Sequence, residues 1–187
     1  MALAALKVKL RQRKSIPFPF SPWTKYIPIT PTPRQTEFLQ LTCEEALYGG
    51  SAGGGKSVAI LAAALQYVDR PGYSAIIFRR TYADLALPEA LMDQARLWLG
   101  PSDATWRDTE KTWHFPSGAT LTFGYLDAPL DRFRYQSSAF QYIGFDELTQ
   151  LREEDYRYLF SRLRRLANTD IPLRVRAASN PGGVGHD

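Results

Sequence analysis

Apolar side chains along this chain gather into short runs bounded by glycine, proline and small polar residues. That is the pattern of strands covered on both faces, alternating with helices. Ala46-Leu47-Tyr48 predicts a short strand, and the apolar, alanine-rich stretch Val58 to Val68 predicts a helix. Pro71-Gly72 then turns the chain into Tyr73 to Phe78, a buried-strand pattern. Ala83 to Leu99 reads as a helix interrupted by Pro88 and ended by Gly100-Pro101. Thr112 to Phe115 and Ala119 to Phe123 flank Pro-Ser-Gly and predict a hairpin. Phe140 to Phe145 predicts a further strand, the region from about Glu153 to Ala167 a helix, and Leu173 to Ala178 a last strand entering Ser179-Asn-Pro-Gly-Gly. Upstream, Thr32 is placed as N-cap and Pro33 as first residue of a helix running from Arg34 to Thr42. Strands alternating with helices predict an α/β fold with a mainly parallel central sheet and the hairpin as an antiparallel addition. No internal repeat is evident.

Composition narrows the class. The 187 residues suffice for one domain with a tail to spare, and 44% apolar with 22% charged residues is ordinary for a soluble globular protein. The single cysteine, Cys43, excludes an internal disulfide and a cysteine-based zinc site, which fits a reducing compartment. No apolar run approaches the roughly 18 residues needed to cross a bilayer, and Leu3 to Leu6 is too short for a signal-peptide core. The expectation is a cytoplasmic protein with no membrane partner.

The charge is unevenly spread. Residues 1–36 hold seven basic side chains and no acid, so of 23 basic and 19 acidic groups the rest keeps 16 and 19, a balance of −3 against +4 overall. Residues 1–33 divide into this basic segment and a proline-rich stretch with Phe18, Phe20, Trp23 and Tyr26 interspersed, expected to form an extended arm ahead of a domain spanning 34–187. The arm can neutralise nucleic-acid phosphates or be a solvated leader; the sequence leaves both open.

The chemistry is concentrated at residues 49–57, Gly-Gly-Ser-Ala-Gly-Gly-Gly-Lys-Ser. Gly50-x4-Gly55-Lys56-Ser57 is a complete P-loop between a predicted strand and a predicted helix. Glycine lets the backbone N–H groups of Gly50, Ser51, Ala52, Gly53, Gly54 and Gly55 turn inward around a polyphosphate, at the positive end of the following helix. Lys56 would reach the β- and γ-phosphates of ATP, and the Ser57 hydroxyl would ligate Mg²⁺. A P-loop needs a carboxylate on an adjacent strand, and Tyr142-Ile-Gly-Phe-Asp146-Glu147 supplies two at a strand end. Asp146 would join the Mg²⁺ shell and Glu147 would polarise the attacking water; a simple helix N-terminal acid pair is the alternative.

Further candidates follow. Gln35 can bond both edges of an adenine ring, or be a helix-surface glutamine. Arg79, before Arg80, can clamp the γ-phosphate in cis, with an ordinary surface arginine as the other reading for either. Arg132 and Arg134 precede the Asp-Glu strand where they can face a neighbouring subunit. Ser179 and Asn180 end the last strand, where a polar side chain can sense the γ-phosphate. His114 reads as a strand-surface residue, and neither it nor His186 suggests a metal.

Together these segments resemble the ATPase domain of tailed-phage terminase large subunits. The resemblance covers about residues 30–187. It rests on Pro33-Arg-Gln35, Tyr48 to Ser57, Phe78-Arg-Arg-Thr-Tyr82, Ile143-Gly-Phe-Asp-Glu147 and Ala178-Ser-Asn-Pro-Gly182. It implies a P-loop NTPase of the additional-strand, catalytic-glutamate type that packages double-stranded DNA. It also implies a ring of subunits, five in number, on a portal at the procapsid, a small terminase subunit as partner, and a place in the host-cell cytoplasm. The family's coupling motif falls on Ser179 and Asn180, and its intersubunit arginine on Arg134 first and Arg132 second. Such subunits usually continue into a nuclease domain, whereas this sequence stops at Asp187; it is expected to be an excised ATPase domain without DNA cleavage. Two other functions compete: a helicase or RecA-like ATPase, and an assembly module with negligible turnover.

Overall fold

The computed structural model describes residues 23–50, 53–87, 90–167 and 169–180. The arm at 1–22, Ser51 and Ala52 of the P-loop, Pro88, and the tail from Pro181 lie outside them.

Helix α1, Pro33–Leu39, starts where the sequence places it. Thr32 Oγ1 accepts from the Gln35 amide at 3.3 Å while Gln35 Oε1 accepts from the Thr32 amide at 2.9 Å, a reciprocal cap with proline at the first position. Strand β1, Glu45–Gly49, leads through the glycine loop into α2, Lys56–Leu65. Strand β2 is Ser74–Arg79. The expected interrupted helix is two helices, α3 over Tyr82–Ala86 and α4 over Leu91–Leu99. Strands β3, Thr105–Arg107, β4, Thr112–His114, and β5, Thr120–Tyr125, follow. A 3-10 turn at Asp131–Tyr135 precedes β6, Tyr142–Asp146. Another at Leu148–Gln150 precedes α5, Glu153–Phe160, and β7 is Arg174–Ser179.

The seven strands form one sheet in the order β1-β7-β6-β2-β5-β4-β3. The first five are parallel, and β4 and β3 are antiparallel. Two expectations need correcting. The second hairpin strand is not merely an addition, because β5 pairs along its whole length with β2 in parallel. The helix from Glu153 stops at Phe160 rather than Ala167, because Phe140 donates to Arg162 O and accepts from the Arg164 amide, both at 2.9 Å, drawing this segment against the start of β6.

Burial on both faces explains the unbroken apolar runs. Along β2, Ala75 and Ile77 face a core built with α1, α2 and α4, while Ile76 and Phe78 face a second core with Phe145, Leu151 and Leu159. Ala59, Ala62, Ala63 and Ala64 of α2 are wholly buried, small enough to let the helix lie close on the sheet. The alternation on β7 is different in kind. Val175 and Ala177 join the second core, and the side chains of Arg174 and Arg176 are buried on the face of α1 and α2. Arg176 donates to the carbonyls of Leu41, Cys43 and Glu44, tying the α1–β1 connection to β7. Arg174 donates to Ala63 O at 3.0 Å and to Gln66 Oε1, and lies over the Tyr67 ring. No carboxylate pairs with either among the described residues. Burial, and then the charge of Arg174, holds Arg176 below the usual guanidinium pKa.

Gly144, in the middle of β6, tests this packing. A Cβ there would lie 3.0 Å from Ile60 of α2 and 3.1 Å from both Ile77 and the Tyr142 ring. Gly144→Ala is expected to cost about 1–3 kcal/mol, read as a lowered urea midpoint at unchanged m-value. An unchanged midpoint would mean that α2 moves freely off the sheet.

Candidate nucleotide site

Register brings the candidate residues together. Gly49 is level with Ser179, Ala178 with Asp146, and Phe145 with Phe78, so the C-terminal ends of β1, β7, β6 and β2 meet along one edge of the sheet. In parallel α/β sheets that edge is where ligands bind. Asp146 is not on the strand next to β1, as the simplest reading of the motif had it, because β7 lies between.

The loop meets α2 through Gly55, which takes the left-handed conformation at φ 67°. That φ favours glycine, and a Cβ there would come within 2.6 Å of Gln35 Nε2, so the Gln35 amide would also have to move. No side chain caps α2, and its first N–H groups are left for an anion. Gln35 is buried and donates to Gly55 O at 2.9 Å while its oxygen caps α1. It therefore bonds the glycine loop itself, and keeps one N–H and one lone pair beyond these two bonds. Gly50, Gly53 and Gly54 lie in the loop, all three exposed.

Across the edge, Ser57 Oγ donates to Asp146 Oδ1 at 2.9 Å, joining residues 89 positions apart. Asp146 is 1% exposed, and its Oδ2 makes no hydrogen bond; its near neighbour is Arg79 Nε at 3.2 Å. Burial pushes the Asp146 pKa up, against the pull of Arg79 and Ser57. Arg79 also donates to Asp84 O at 2.7 Å, so this arginine is turned onto the carboxylate. Arg80 points away, to Asp127 at 3.7 Å.

A second chain of contacts crosses the site. Lys56, itself 6% exposed, donates to Asn180 Oδ1 at 2.8 Å, and Asn180 Nδ2 donates to the Glu147 carboxylate at 3.2 and 3.4 Å. One asparagine thus spans the loop lysine and the strand-end glutamate. Glu147 has a left-handed backbone at φ 54°, ψ 51°, a conformation rare for a residue with a side chain. Ser179 hydrogen-bonds Thr149, a residue that no motif in the sequence signals.

The other two arginines differ in their surroundings. Arg132 holds the fully buried Asp155 at 2.9 Å and Glu154 at 3.1 Å. Arg134 is 56% exposed, lies over the Tyr125 ring and pairs with Asp131 at 3.2 Å. Arg132 is tied into the protein, whereas Arg134 stands at the surface. His114 lies on β4 and pairs with Glu110 at 2.9 Å. No cluster of three or more His, Cys, Asp or Glu suited to a metal occurs among the described residues, and no helix there is long and apolar enough to cross a membrane.

A family model described as the terminase large subunit, T4likevirus-type, N-terminal region, matches residues 47–183. The chain belongs to this terminase family. No curated protein matches. Among solved structures, the HK97 bacteriophage large terminase aligns with a TM-score of 0.64 at 10% identity over 81% of this chain and 33% of that one. The ATPase domain of the Thermus phage P74-26 large terminase gives 0.57 at 13% identity, over 84% of this chain and 68% of that one. The large terminase of a thermophilic bacteriophage gives 0.57 at 12% identity over 74% of this chain and 34% of that one. The terminase chain described here therefore spans about a third of the HK97 and thermophilic-phage proteins. At these identities the likeness speaks for the fold: a P-loop NTPase sheet with an additional strand between the loop strand and the acid-bearing strand.

The raised pKa of Asp146 has a direction that can be measured. A carboxyl whose pKa is raised by folding binds its proton more readily when native. Its stability contribution is then greatest at low pH and falls as pH climbs past the unfolded value of 3.8 towards the raised native one. Asp146→Asn lacks this loss, so its stability relative to the parent should grow between about pH 4 and pH 7 in urea titrations. A flat difference over that range would remove the assignment.

Proposed function

We propose that this chain hydrolyses ATP to drive double-stranded viral DNA into a procapsid, as the motor part of a terminase large subunit. The observation that carries this reading is the hydrogen bond between Ser57 of the glycine loop and Asp146, which brings the two halves of an NTP site together. Membership of the terminase family supplies the packaging task. The thermophilic-phage large terminase occurs in complex with ADP, in a structure with a TM-score of 0.51 and 11% identity, which supports nucleotide as the ligand.

In this reading the N–H groups of Gly50 to Gly55 and of the α2 N-terminus bind the phosphates, and Lys56 leaves Asn180 for the γ-phosphate. Ser57 and Asp146 suit Mg²⁺: one hydroxyl and one buried carboxylate with an unbonded oxygen leave the remaining places to phosphate and water. When bound, that ion offsets the charge of the β- and γ-phosphates. The spare donor and acceptor of Gln35 match the N7 and N6 edge of adenine. Glu147, once Asn180 lets go, accepts the proton of the attacking water. Ser179 and Asn180 register the γ-phosphate, and Arg79 follows Asp146 towards it in cis.

The exposed Arg134 is assigned to the neighbouring subunit's nucleotide, as an arginine supplied in trans. Arg132 is the weaker choice, since reaching out would take from the buried Asp155 one of the two arginines that hold it, leaving Arg152 alone. A ring, five subunits on a portal, a small terminase subunit and the host cytoplasm complete the proposal. Residues 34–187 are assigned as the motor domain and residues 1–33 as a basic, proline-rich arm whose Tyr26 and Ile27 pack into the domain's core, and no nuclease activity is assigned to this chain.

Glu147→Gln should lower turnover by two or more orders of magnitude, with ATP binding kept within a few-fold in a fluorescent-nucleotide titration. Comparable loss of binding would put Glu147 in a structural role. Arg134→Ala should abolish turnover that depends on assembly while leaving the monomer's ATP affinity nearly intact. A matching loss of monomer affinity would place the arginine in cis. Blunt duplex DNA should stimulate turnover; strand displacement would favour the helicase reading instead.

A further inference from the structure

Beyond the motif residues, the edge of the sheet holds one side chain whose contacts lead from the coupling strand to the catalytic glutamate. Thr149 lies two residues after Glu147, in the 3-10 turn Leu148–Gln150. Its amide donates to Ser179 Oγ at 3.2 Å, and its Oγ1 lies 2.8 Å from the same oxygen and 3.4 Å from Asn180 O. Ser179 Oγ in turn lies 2.9 Å from Asn180 O. The hydrogens can all be placed: Ser179 gives its proton to Asn180 O and takes two bonds from Thr149. Ser179 is buried at 6% exposure and Thr149 is half-buried, so the pair is not readily replaced by water.

The backbone between these anchors gives the pair its significance. Glu147 is held in the left-handed region at φ 54°, in which an ordinary residue stays only when its surroundings fix it. On one side the β6 ladder fixes it, ending at Asp146 opposite Ala178. On the other, the turn is closed by Gln150 N donating to Glu147 O at 2.9 Å and is fastened to β7 by Thr149. The Glu147 carboxylate also meets Asn180, the residue next to Ser179. β7 therefore holds Glu147 by two grips, a side-chain one through Asn180 and a backbone one through Thr149.

We infer that Thr149 is a positioning residue: it locks the left-handed turn of Glu147 to the end of β7, so that a shift of Ser179–Asn180 moves the glutamate's backbone as well as releasing its carboxylate. This rests on the hydrolysis reading above and names how its coupling strand reaches the general base. Thr149 itself touches no reacting atom. Its effect is to keep Glu147 aimed after Asn180 turns away to face a nucleotide.

The test compares Thr149→Val, which keeps the branched shape without the hydroxyl, with Thr149→Ser, which keeps the hydroxyl. With the full chain in its assembled form, Thr149→Val should lower kcat for ATP about tenfold, with KM within twofold. Thr149→Ser should restore at least half the parent rate, and the thermal midpoints should stay alike. In combination with Asn180→Ala the losses should be less than additive. Independently of turnover, amide exchange should show residues 147–151 and 179–180 responding together to ATPγS in the parent. In Thr149→Val, which loses the hydroxyl contact but keeps the amide bond to Ser179, the response of the first segment should fall to half or less of the parent's while that of the second is kept. A rate within twofold of the parent, a loss confined to KM, or an undiminished joint response would overturn the inference. If the parent itself turned over no ATP when assembled, the hydrolysis reading would fall, and the exchange response alone would decide whether Thr149 links turn to strand.

Discussion

Strand β7 runs between the strand that feeds the glycine loop and the strand that delivers Asp146 and Glu147, and the geometry of the site depends on that insertion. Neighbouring strands lie about 4.8 Å apart, so one intervening strand holds β1 and β6 roughly 10 Å from each other. Such a gap leaves room for the Asn180 side chain at the strand end to reach Lys56 on one side and Glu147 on the other. The ladders on both flanks of β7 keep its end in step with Gly49 and Asp146, so the spacing is set by backbone hydrogen bonds.

Because β7 lies between the two halves of the site, its anchoring matters. Two buried arginines on this strand, without carboxylate partners among the described residues, are bonded to carbonyls and ring faces around α1 and α2. A buried cation left without those partners would be costly, so the surrounding carbonyls are held where the guanidinium groups need them. Arg176 fixes the connection between α1 and β1, and α1 carries Gln35, which reaches the glycine loop at Gly55. One strand thereby organises both ends of the loop's surroundings.

The central chemistry was legible because it is local. Gly50 to Ser57, Asp146-Glu147 and Ser179-Asn180 are contiguous motifs, each at the end of a periodic apolar run, and parallel pairing alone is enough to bring strand ends to one edge. What depends on distant partners was not legible. The parallel pairing of β5 with β2, the early end of α5 and the existence of β3 are set by contacts between segments far apart in sequence. Arg174 and Arg176 alternate with Val175 and Ala177 along β7, yet they too are buried, because carbonyls and rings receive them. Thr149 and the left-handed Glu147 escaped notice because a single residue's backbone state leaves no periodicity to read.

The left-handed Glu147 has a consequence for how variants at that position compare. A side chain in this conformation costs about 1 kcal/mol or more, which glycine would not incur. The fold therefore holds a small conformational strain at the carboxylate proposed as the general base. Substituting glycine there would relieve it while deleting the carboxylate and its bonds to Asn180 and freeing the unfolded chain, so the change in stability does not report on the proposed chemistry. Thermal resistance is consequently a poor guide to the proposed chemistry at this one residue.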